Sequence, residues 1–325
     1  MAQPVLEIKG LTTSFASPKG VAKAVDTVSL SVMQGETLAL VGESGCGKSV
    51  LALSVMGLVP DPPGRITDGH ILFHGDDITE MDPDQLRAMR GNRISMVFQE
   101  PMTALNPVFR VGEQIAEAVR LHMNLSRAEA DARAVETLRL TGVPHPERVA
   151  RSFPHELSGG LRQRVVIAIA LACEPELLLA DEPTTALDVT IQAQVLELMS
   201  ELKERMNGSL MLITHDLGVV AGMADRVAVM YAGELVELSP AEGFFSEPLH
   251  PYSQGLMASV PRLGDRTPVQ ALPGTVPSIF HRPEGCRFHP RCPHCMDICR
   301  TVPPREVVRE GRHLRCWLFD KGVKG

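Results

Sequence analysis

Aromatic and basic residues are both in short supply in this chain. Phenylalanine, tyrosine and tryptophan together make up 4% of its 325 residues. Lysine and arginine number 32 against 39 aspartates and glutamates, so the formal net charge is −7. A protein that binds nucleic acid through a basic face needs an excess of positive charge. The composition therefore predicts that nucleic acid is not a partner.

Long apolar runs are also missing. No stretch approaches the roughly 18 to 20 uninterrupted apolar residues that a membrane-spanning helix needs. The first four residues, MAQP, lack the basic and apolar segments of a signal peptide. We therefore expect the chain to stay in the cytoplasm, where thiols are kept reduced and disulfides are rare. Five of its seven cysteines lie between Cys286 and Cys316, which indicates a metal site instead.

A glycine-rich loop stands between an apolar strand and a helix near the start of the chain. Residues 38 to 41 are apolar, residues 42 to 49 read GESGCGKS, and apolar residues resume at Val50. Glycines let the backbone turn its N–H groups onto an anion, and the helix that follows adds the positive end of its dipole. Lys48 can reach the outer phosphates and the Ser49 hydroxyl can ligate Mg²⁺. The loop predicts a site for a nucleoside triphosphate, with contacts from Gly42, Glu43, Ser44, Gly45, Cys46, Gly47, Lys48, Ser49 and Val50.

The rest of the chain alternates short apolar runs with amphipathic segments. The predicted strands are residues 5–11, 22–32, 71–73, 94–97, 177–180, 210–213, 227–231 and 234–238. The predicted helices include 111–122, 128–140, a helix starting near Ser158, and one that contains Ile191 and Leu202. Strands and helices in alternation around a phosphate loop predict a three-layer α/β core, here with an antiparallel edge. We expect a nucleotide-binding domain over residues 1–240, with a helical subdomain at about 100–175. An irregular, cysteine-rich extension over 241–325 should follow it.

Two carboxylates follow a buried strand in the second half of this core. Residues 177 to 180 are apolar and lead directly to Asp181 and Glu182. A carboxylate at a strand end can hold Mg²⁺, and a second one beside it can orient and activate water. We therefore predict that Asp181 binds the metal and that Glu182 activates the nucleophile for hydrolysis.

Residues 157 to 164, LSGGLRQR, resemble the signature motif of ATP-binding-cassette (ABC) proteins. Gln99 is similar to the glutamine of the Q-loop, residues 185 to 188 (TALD) to the D-loop, and His215 to the switch histidine. The resemblance spans roughly residues 5 to 240. It implies that Glu182, His215, Gln99 and Lys48 are catalytic, and that Ser49, Gln99 and Asp181 hold Mg²⁺. Two cassettes would dock head to tail around ATP, with Ser158, Gly159, Gly160 and Asp188 acting in trans.

Two positions depart from the ABC pattern. The signature has Leu161 where the family usually has glutamine. No aromatic residue clearly matches the one that stacks on adenine upstream of the phosphate loop. Phe15 is a candidate for this stacking residue. It could equally be a core residue of the first strand. Neither change removes a group that acts on the phosphates, so ATPase activity is expected.

Residues 98 to 107, and the segments around Pro251, Pro273 and Cys286, resemble the ATP-binding subunits of oligopeptide and dipeptide importers. This resemblance extends to about residue 318. It implies a peripheral subunit at the cytoplasmic face of the cell membrane, with a second cassette (a paralogue), two transmembrane permease subunits and an extracytoplasmic substrate-binding protein as partners. Peptides are the expected cargo; nickel chelates, glutathione and peptide antibiotics are alternatives. A soluble ABC ATPase of DNA repair is disfavoured, because residues 48 to 158 leave room for only a modest helical insert. One of translation is disfavoured because it would contain two cassettes, and each motif occurs once here.

The cysteines allow two metal sites. Four thiolates can bind tetrahedral Zn²⁺ or a 4Fe-4S cluster. The close pair Cys292 and Cys295 is typical of zinc sites. The family resemblance instead selects Cys286, Cys292, Cys299 and Cys316 and associates them with a 4Fe-4S cluster. A 4Fe-4S cluster, a zinc ion and cysteines that bind no metal all stay open from the sequence alone.

Overall fold

The computed structural model describes residues 3–99, 104–184, 189–260 and 272–320, without the side chains of residues 189 and 190. The chain divides into two compact units. The first, which we call the helical unit, comprises Met1–Val5, Val32–Gly35 and Glu80–Leu212. The second, the phosphate-loop unit, comprises Leu6–Ser31, Glu36–Thr79 and Ile213–Gly325.

The strands and helices follow one another along the chain in alternation. The strands are β1 (Pro4–Ser17), β2 (Gly20–Met33), β3 (Thr37–Val41), β4 (Gly64–Phe73), β5 (Asp76–Asp77), β6 (Ile94–Val97), β7 (Leu177–Asp181), β8 (Ser209–Thr214), β9 (Arg226–Tyr231), β10 (Glu234–Pro240), β11 (Glu306–Arg309) and β12 (Arg312–Arg315). The helices are α1 (Lys48–Val55), α2 (Pro83–Met89), α3 (Val111–His122), α4 (Arg127–Leu140), α5 (Pro146–Val149), α6 (Gly159–Leu171), α7 (Val189–Arg205), α8 (Leu217–Met223), α9 (Ala241–Ser246), α10 (Pro251–Ala258) and α11 (Asp297–Thr301). Within the described ranges, none of these helices has both the length and the apolar character needed to cross a membrane.

The phosphate-loop unit contains strands of two sheets. One sheet has the order β2-β1-β4-β5, and β1 and β4 run antiparallel with Ile8 opposite Ile71. The other strands follow in the order β11-β12-β10-β9-β3, where β3 and β9 are parallel and the remaining pairs are antiparallel. All five residues of β3 are buried, as expected of a parallel strand that is covered on both faces. Residues 5–11 and 22–32, predicted to form an antiparallel edge, lie in the neighbouring strands β1 and β2 of the first sheet, and this sheet is antiparallel where β1 pairs with β4.

The helical unit carries β8, β7 and β6 in that order, with β6 and β7 parallel. Helices α3, α4 and α6 pack against one another beside them. The buried face of α3 contains Val111, Ile115 and Val119, which recur at helical spacing. Helix α4 begins at a capping box, in which Ser126 and Glu129 each accept the other's backbone N–H. Local sequence thus determines where these helices start and which face they bury.

Most predicted elements occur where the sequence indicated. Helix α3 and strand β6 have the predicted bounds, 111–122 and 94–97. The segment after residue 240 is more regular than expected, because its described residues (241–260 and 272–320) form three α-helices and the hairpin β11–β12. The hairpin extends a sheet by pairing β12 with β10, which places Leu314 opposite Glu237. Short charged strands of this kind carry no clear period, so their pairing arises from tertiary contact. The domain boundary at 240 stays a prediction.

A buried ion pair attaches this hairpin to β10. The Glu237 side chain is fully buried and accepts from Arg312 Nη2 at 2.8 Å and from the His250 backbone N–H at 2.8 Å. Arg312 Nε also donates to Ser239 Oγ at 3.0 Å. Burial acts to raise the pKa of Glu237, but hydrogen bonds from the His250 amide, Ser253 and Arg312 outweigh it and lower that pKa. The carboxylate is thus kept charged inside the unit by its donors.

Replacing Arg312 should leave an uncompensated buried carboxylate. We expect Arg312→Met to lower the free energy of unfolding by about 3 to 5 kcal/mol at neutral pH, measured by urea denaturation. Arg305 provides the control, because its side chain is 77% exposed beside Asp320. Arg305→Met should change the free energy of unfolding by less than about 1 kcal/mol. Equal effects of the two substitutions would contradict this account of the hairpin.

The same pair should impose a pH dependence. Because the folded-state pKa of Glu237 lies below that of the unfolded chain, its stabilisation is complete above about pH 4.3 and is lost as pH falls through the folded pKa. In Arg312→Met the buried Glu237 carboxylate has no cation beside it. Protonation of this carboxylate removes the unpaired charge and so reduces the loss of folding stability in the variant. The difference in unfolding free energy between wild type and Arg312→Met should shrink as the pH is lowered.

Candidate functional site

The loop between β3 and α1 has a backbone that only glycine can adopt at two places. Gly42 and Gly47 have φ angles of +150° and +109°. A Cβ atom at Gly42 would collide with the Met230 carbonyl oxygen, and one at Gly47 would lie 2.5 Å from the Ala24 carbonyl oxygen. Helix α1 starts directly after Gly47 without a side-chain cap. The first N–H groups of the helix are therefore available to an anion.

Lys48 lies across this loop. Its Nζ donates to the Gly42 carbonyl at 2.7 Å and to the Glu43 carbonyl at 3.1 Å, and the residue is 6% exposed. Ser49, the predicted Mg²⁺ ligand, is exposed, as is Ser44. Cys46 is buried, and burial raises the pKa of its thiol. The loop thus presents backbone N–H groups, an ammonium group and hydroxyls, which is the chemistry of a phosphate site.

Two residues that the sequence analysis did not single out also contact the loop. The Tyr252 hydroxyl accepts the Glu43 backbone N–H at 2.9 Å. Arg291 pairs with the Glu43 carboxylate through two nitrogens, at 2.6 and 3.0 Å. They lie 209 and 248 residues along the chain from Glu43. No local pattern marks contacts over such separations.

In the helical unit, the structure brings together two of the predicted catalytic residues. Gln99 Nε2 donates to Glu182 Oε2 at 3.0 Å. Glu182 has a left-handed backbone, with φ of +46°, and non-glycine residues held in this region cluster at functional sites. Asp181 precedes it at the end of β7 and is 5% exposed. The carboxylate pair therefore ends a buried strand, as predicted.

The signature segment forms the start of α6. Ser158 is the N-cap, and its Oγ accepts the Leu161 backbone N–H at 3.4 Å. Gly159 and Gly160 occupy the first turn, where a Cβ at Gly160 would come within 3.1 Å of Ile191 Cγ2. Helix α6 has 13 residues, and the positive end of its dipole lies at this N-terminus. Ser158 and Gly159 are exposed, so the helix start is accessible to an anion from outside.

The remaining predicted site residues are divided as follows. His215 is exposed directly after β8, and the next residue, Asp216, caps α8 by accepting the N–H groups of Gly218 and Val219. His215 and the phosphate loop belong to the phosphate-loop unit, whereas Gln99, Asp181, Glu182 and the signature belong to the helical unit. Asp188, with the rest of the predicted D-loop, lies outside the described residues. Phe15 is half-buried, and its ring lies against Gly64.

Four cysteines of the C-terminal segment lie near one another. The thiols of Cys292, Cys299 and Cys316 are close enough to Cys286 that, besides burial, their negative charge raises the pKa of the Cys286 thiol. Burial raises the pKa of Cys286 to about 12 and that of Cys316 to about 11. The sulfurs of Cys286, Cys292 and Cys316 each accept a backbone N–H from two residues further on. The Cys295 thiol instead donates to the Met296 carbonyl, with the atoms 3.6 Å apart.

The spacing of these sulfurs bears on the kind of metal. Zinc bound by four thiolates at about 2.3 Å holds its sulfurs about 3.8 Å apart. Among the residues that the structure describes, which include all seven cysteines, no three cysteine sulfurs lie within 4.8 Å of one another. The four thiols therefore form a wider group than a single zinc ion requires. The acceptor hydrogen bonds and the four soft ligands fit a thiolate-bound metal group.

Two family models match the chain: residues 25–185 match the ABC transporter family, and residues 236–299 match the family described as oligopeptide/dipeptide transporter, C-terminal region. The chain is 51% identical to the oligopeptide transport ATP-binding protein AppD of Bacillus subtilis, over 98% of this chain and 97% of that protein. It is 48% identical to the dipeptide transport ATP-binding protein DppD of the same organism, over 98% and 96%.

A solved structure has the same cassette fold. The ATP-binding cassette MJ0796, in a dimeric post-hydrolysis state with ADP and phosphate, aligns with a TM-score of 0.66 and 28% identity. The alignment covers 73% of this chain and 98% of that one. The chain is an ATPase of the ABC transporter family, and it belongs to the group of oligopeptide and dipeptide transport ATP-binding proteins.

Proposed function

We propose that this chain energises the import of dipeptides or oligopeptides by hydrolysing ATP at the cytoplasmic face of a cell membrane. The observation that carries the proposal is the match of residues 236–299 to the C-terminal region of oligopeptide and dipeptide transporters, since a cassette alone does not specify the cargo. Two transmembrane permease subunits and an extracytoplasmic substrate-binding protein complete the proposed importer. The chain associates with the membrane through those subunits.

The proposed chemistry is phosphoryl transfer from ATP to water, which depends mainly on positioning and on neutralisation of charge. The loop amides and Lys48 bind the phosphates, and His215 stabilises charge that develops on the γ-phosphate. Glu182 orients and polarises the attacking water. The hydrogen bond from Gln99 to Glu182 supports this role, because it links a residue that senses the nucleotide to the residue that acts on water.

Mg²⁺ would be held by Ser49, Gln99 and Asp181, whose hydroxyl, amide and carboxylate oxygens are the ligands it prefers. When bound, the ion neutralises charge on the outer phosphates.

We further propose that Ser158, Gly159, Gly160 and Asp188 act on the nucleotide of a second cassette, a paralogue of this chain. The exposed N-terminus of α6 supports this assignment for the signature residues.

For the cysteines we propose a 4Fe-4S cluster bound by Cys286, Cys292, Cys299 and Cys316. The family resemblance selects these four cysteines, and the separate hydrogen bond of Cys295 supports leaving that residue outside the ligand set. When bound, such a cluster would cross-link the segment that carries these four cysteines. Burial raises the pKa of the Cys286 and Cys316 thiols, so these two thiols are protonated at neutral pH when no metal is present.

Substitution of Glu182 tests the hydrolytic site. Glu182→Gln keeps the shape of the side chain but removes the carboxylate that polarises water, so the rate of phosphate release should fall by about 100-fold or more. Binding of a fluorescent ATP analogue should change little. Glu197, exposed on α7, supplies the control, and Glu197→Gln should retain wild-type turnover. A Glu182→Gln variant with normal turnover would remove Glu182 from the proposed mechanism.

Uptake measurements test the cargo. Cells that carry Glu182→Gln in place of the wild-type chain should lose uptake of a labelled dipeptide or oligopeptide, and the tagged wild-type chain should co-purify with two membrane permeases. Cells carrying Glu197→Gln should take up the peptide normally. Normal peptide uptake together with loss of another solute, such as a nickel chelate, would replace the peptide assignment.

Metal analysis tests the cluster. Protein purified without oxygen should contain about four irons and four sulfides per chain and absorb visible light. Cys299→Ser should lose both, whereas Cys295→Ser, in the same segment, should retain them. Iron-free protein that contains about one zinc per chain would show that the cluster assignment is wrong.

A further inference from the structure

The C-terminal segment contacts Glu43 of the phosphate loop from two sides. The Tyr252 hydroxyl accepts the Glu43 backbone N–H at 2.9 Å. The Arg291 guanidinium binds both oxygens of the Glu43 carboxylate, at 2.6 and 3.0 Å. Backbone and side chain of one loop residue are therefore both held by residues that lie outside the cassette motifs.

Arg291 is itself held rigidly. It is 7% exposed, its Nε donates to the Pro273 carbonyl at 2.8 Å, and its guanidinium lies over the rings of Tyr231 and Phe288 at 5.7 and 6.0 Å. A bidentate guanidinium–carboxylate pair fixes orientation as well as distance. A buried and stacked arginine thus fixes the position of Glu43.

The ring cluster behind Arg291 uses both tyrosines of the chain. Tyr231, Tyr252 and Phe288 pack with ring centroids 4.6 to 5.3 Å apart, and all three are buried. Phe288 and Arg291 lie in the five-residue stretch between Cys286 and Cys292. Both tyrosines of this sequence thus lie where the cysteine-bearing segment meets the ATP-binding loop.

Glu43 is close to the groups that bind phosphate. Its carbonyl accepts from Lys48 Nζ at 3.1 Å and from the Cys46 backbone N–H at 3.3 Å. A shift of Glu43 therefore moves the lysine and the loop amides together. A displacement of about 1 Å in positioning groups is enough to alter binding and turnover strongly.

We propose that Arg291 and Tyr252 are positioning residues for the phosphate loop, so that the segment carrying the cysteines sets the affinity of the cassette for ATP. They act through Glu43 and do not touch the nucleotide. The loop is held in its binding conformation before ATP arrives, which lowers the cost of binding.

The test compares ATP binding in variants of the full chain, using a fluorescent ATP analogue with Mg²⁺ and steady-state hydrolysis. Arg291→Gln should raise both the Kd for the analogue and the KM for ATP by about 5-fold or more, with a smaller change in kcat. Arg291→Lys keeps the positive charge but cannot bind both carboxylate oxygens of Glu43, so its affinity for the analogue should lie between those of wild type and Arg291→Gln. Tyr252→Phe, which removes only the acceptor of the Glu43 N–H, should also raise the Kd.

Arg315 offers a matched control in the same segment. It is 19% exposed, lies beside Glu234 at 3.9 Å and donates to the Thr27 carbonyl, without contact to the loop. Arg315→Gln should leave the Kd and KM unchanged. If Arg291→Gln raises the Kd no more than Arg315→Gln does, the proposal is wrong.

A double-mutant cycle separates positioning from general damage. Because Arg291 acts through Glu43, the combination of Arg291→Gln with Glu43→Gln should weaken ATP binding no further than the stronger single variant. Additive effects would overturn the proposal. If Arg291→Gln does not fold, Tyr252→Phe decides the matter, and an unchanged Kd in that nearly isosteric variant counts against the assignment.

Discussion

The conformation of the phosphate loop depends on how closely other backbone segments approach it. The Met230 carbonyl of β9 leaves no room for a side chain at Gly42, and the Ala24 carbonyl of β2 leaves none at Gly47. The parallel pairing of β3 with β9 brings Met230 to this position. The Gly233 backbone N–H donates to the Cys46 carbonyl at 2.8 Å and holds the loop from the same side. The phosphate site is therefore a product of sheet packing as much as of the loop sequence.

Two buried or partly buried ion pairs lie inside the phosphate-loop unit. Glu237 is fully buried with Arg312, and Arg291 is nearly buried with Glu43. Desolvation of a charge is costly, and such pairs persist only when hydrogen bonds satisfy the remaining donors and acceptors. Both pairs join the segment after residue 240 to earlier parts of the unit. Because buried aromatic residues of that segment also lie in the apolar cluster of the unit, the segment is anchored by directional contacts as well as by apolar burial.

The hydrolytic residues show a different kind of constraint. Glu182 combines a left-handed backbone with a hydrogen bond from Gln99. A left-handed non-glycine residue costs of order 1 to 3 kcal/mol and persists where surrounding structure holds it. Here the preceding residues form buried strand β7, which is rigid enough to impose this geometry. The strand end therefore positions a carboxylate at some cost in stability.

Local sequence alone determined the order of the elements, the phosphate loop, the carboxylates at the end of β7 and the start of α6 at Ser158, because periodicity, glycine spacing and capping act over a few residues. The choice of Cys286, Cys292, Cys299 and Cys316 as metal ligands rests on a family resemblance and stays a prediction. Tertiary structure decided what the sequence analysis missed: the β11–β12 hairpin, the pairing of Arg312 with Glu237, and the approach of Tyr252 and Arg291 to Glu43. These contacts join residues up to 248 positions apart, and no local period encodes a contact that exists only once the chain has folded.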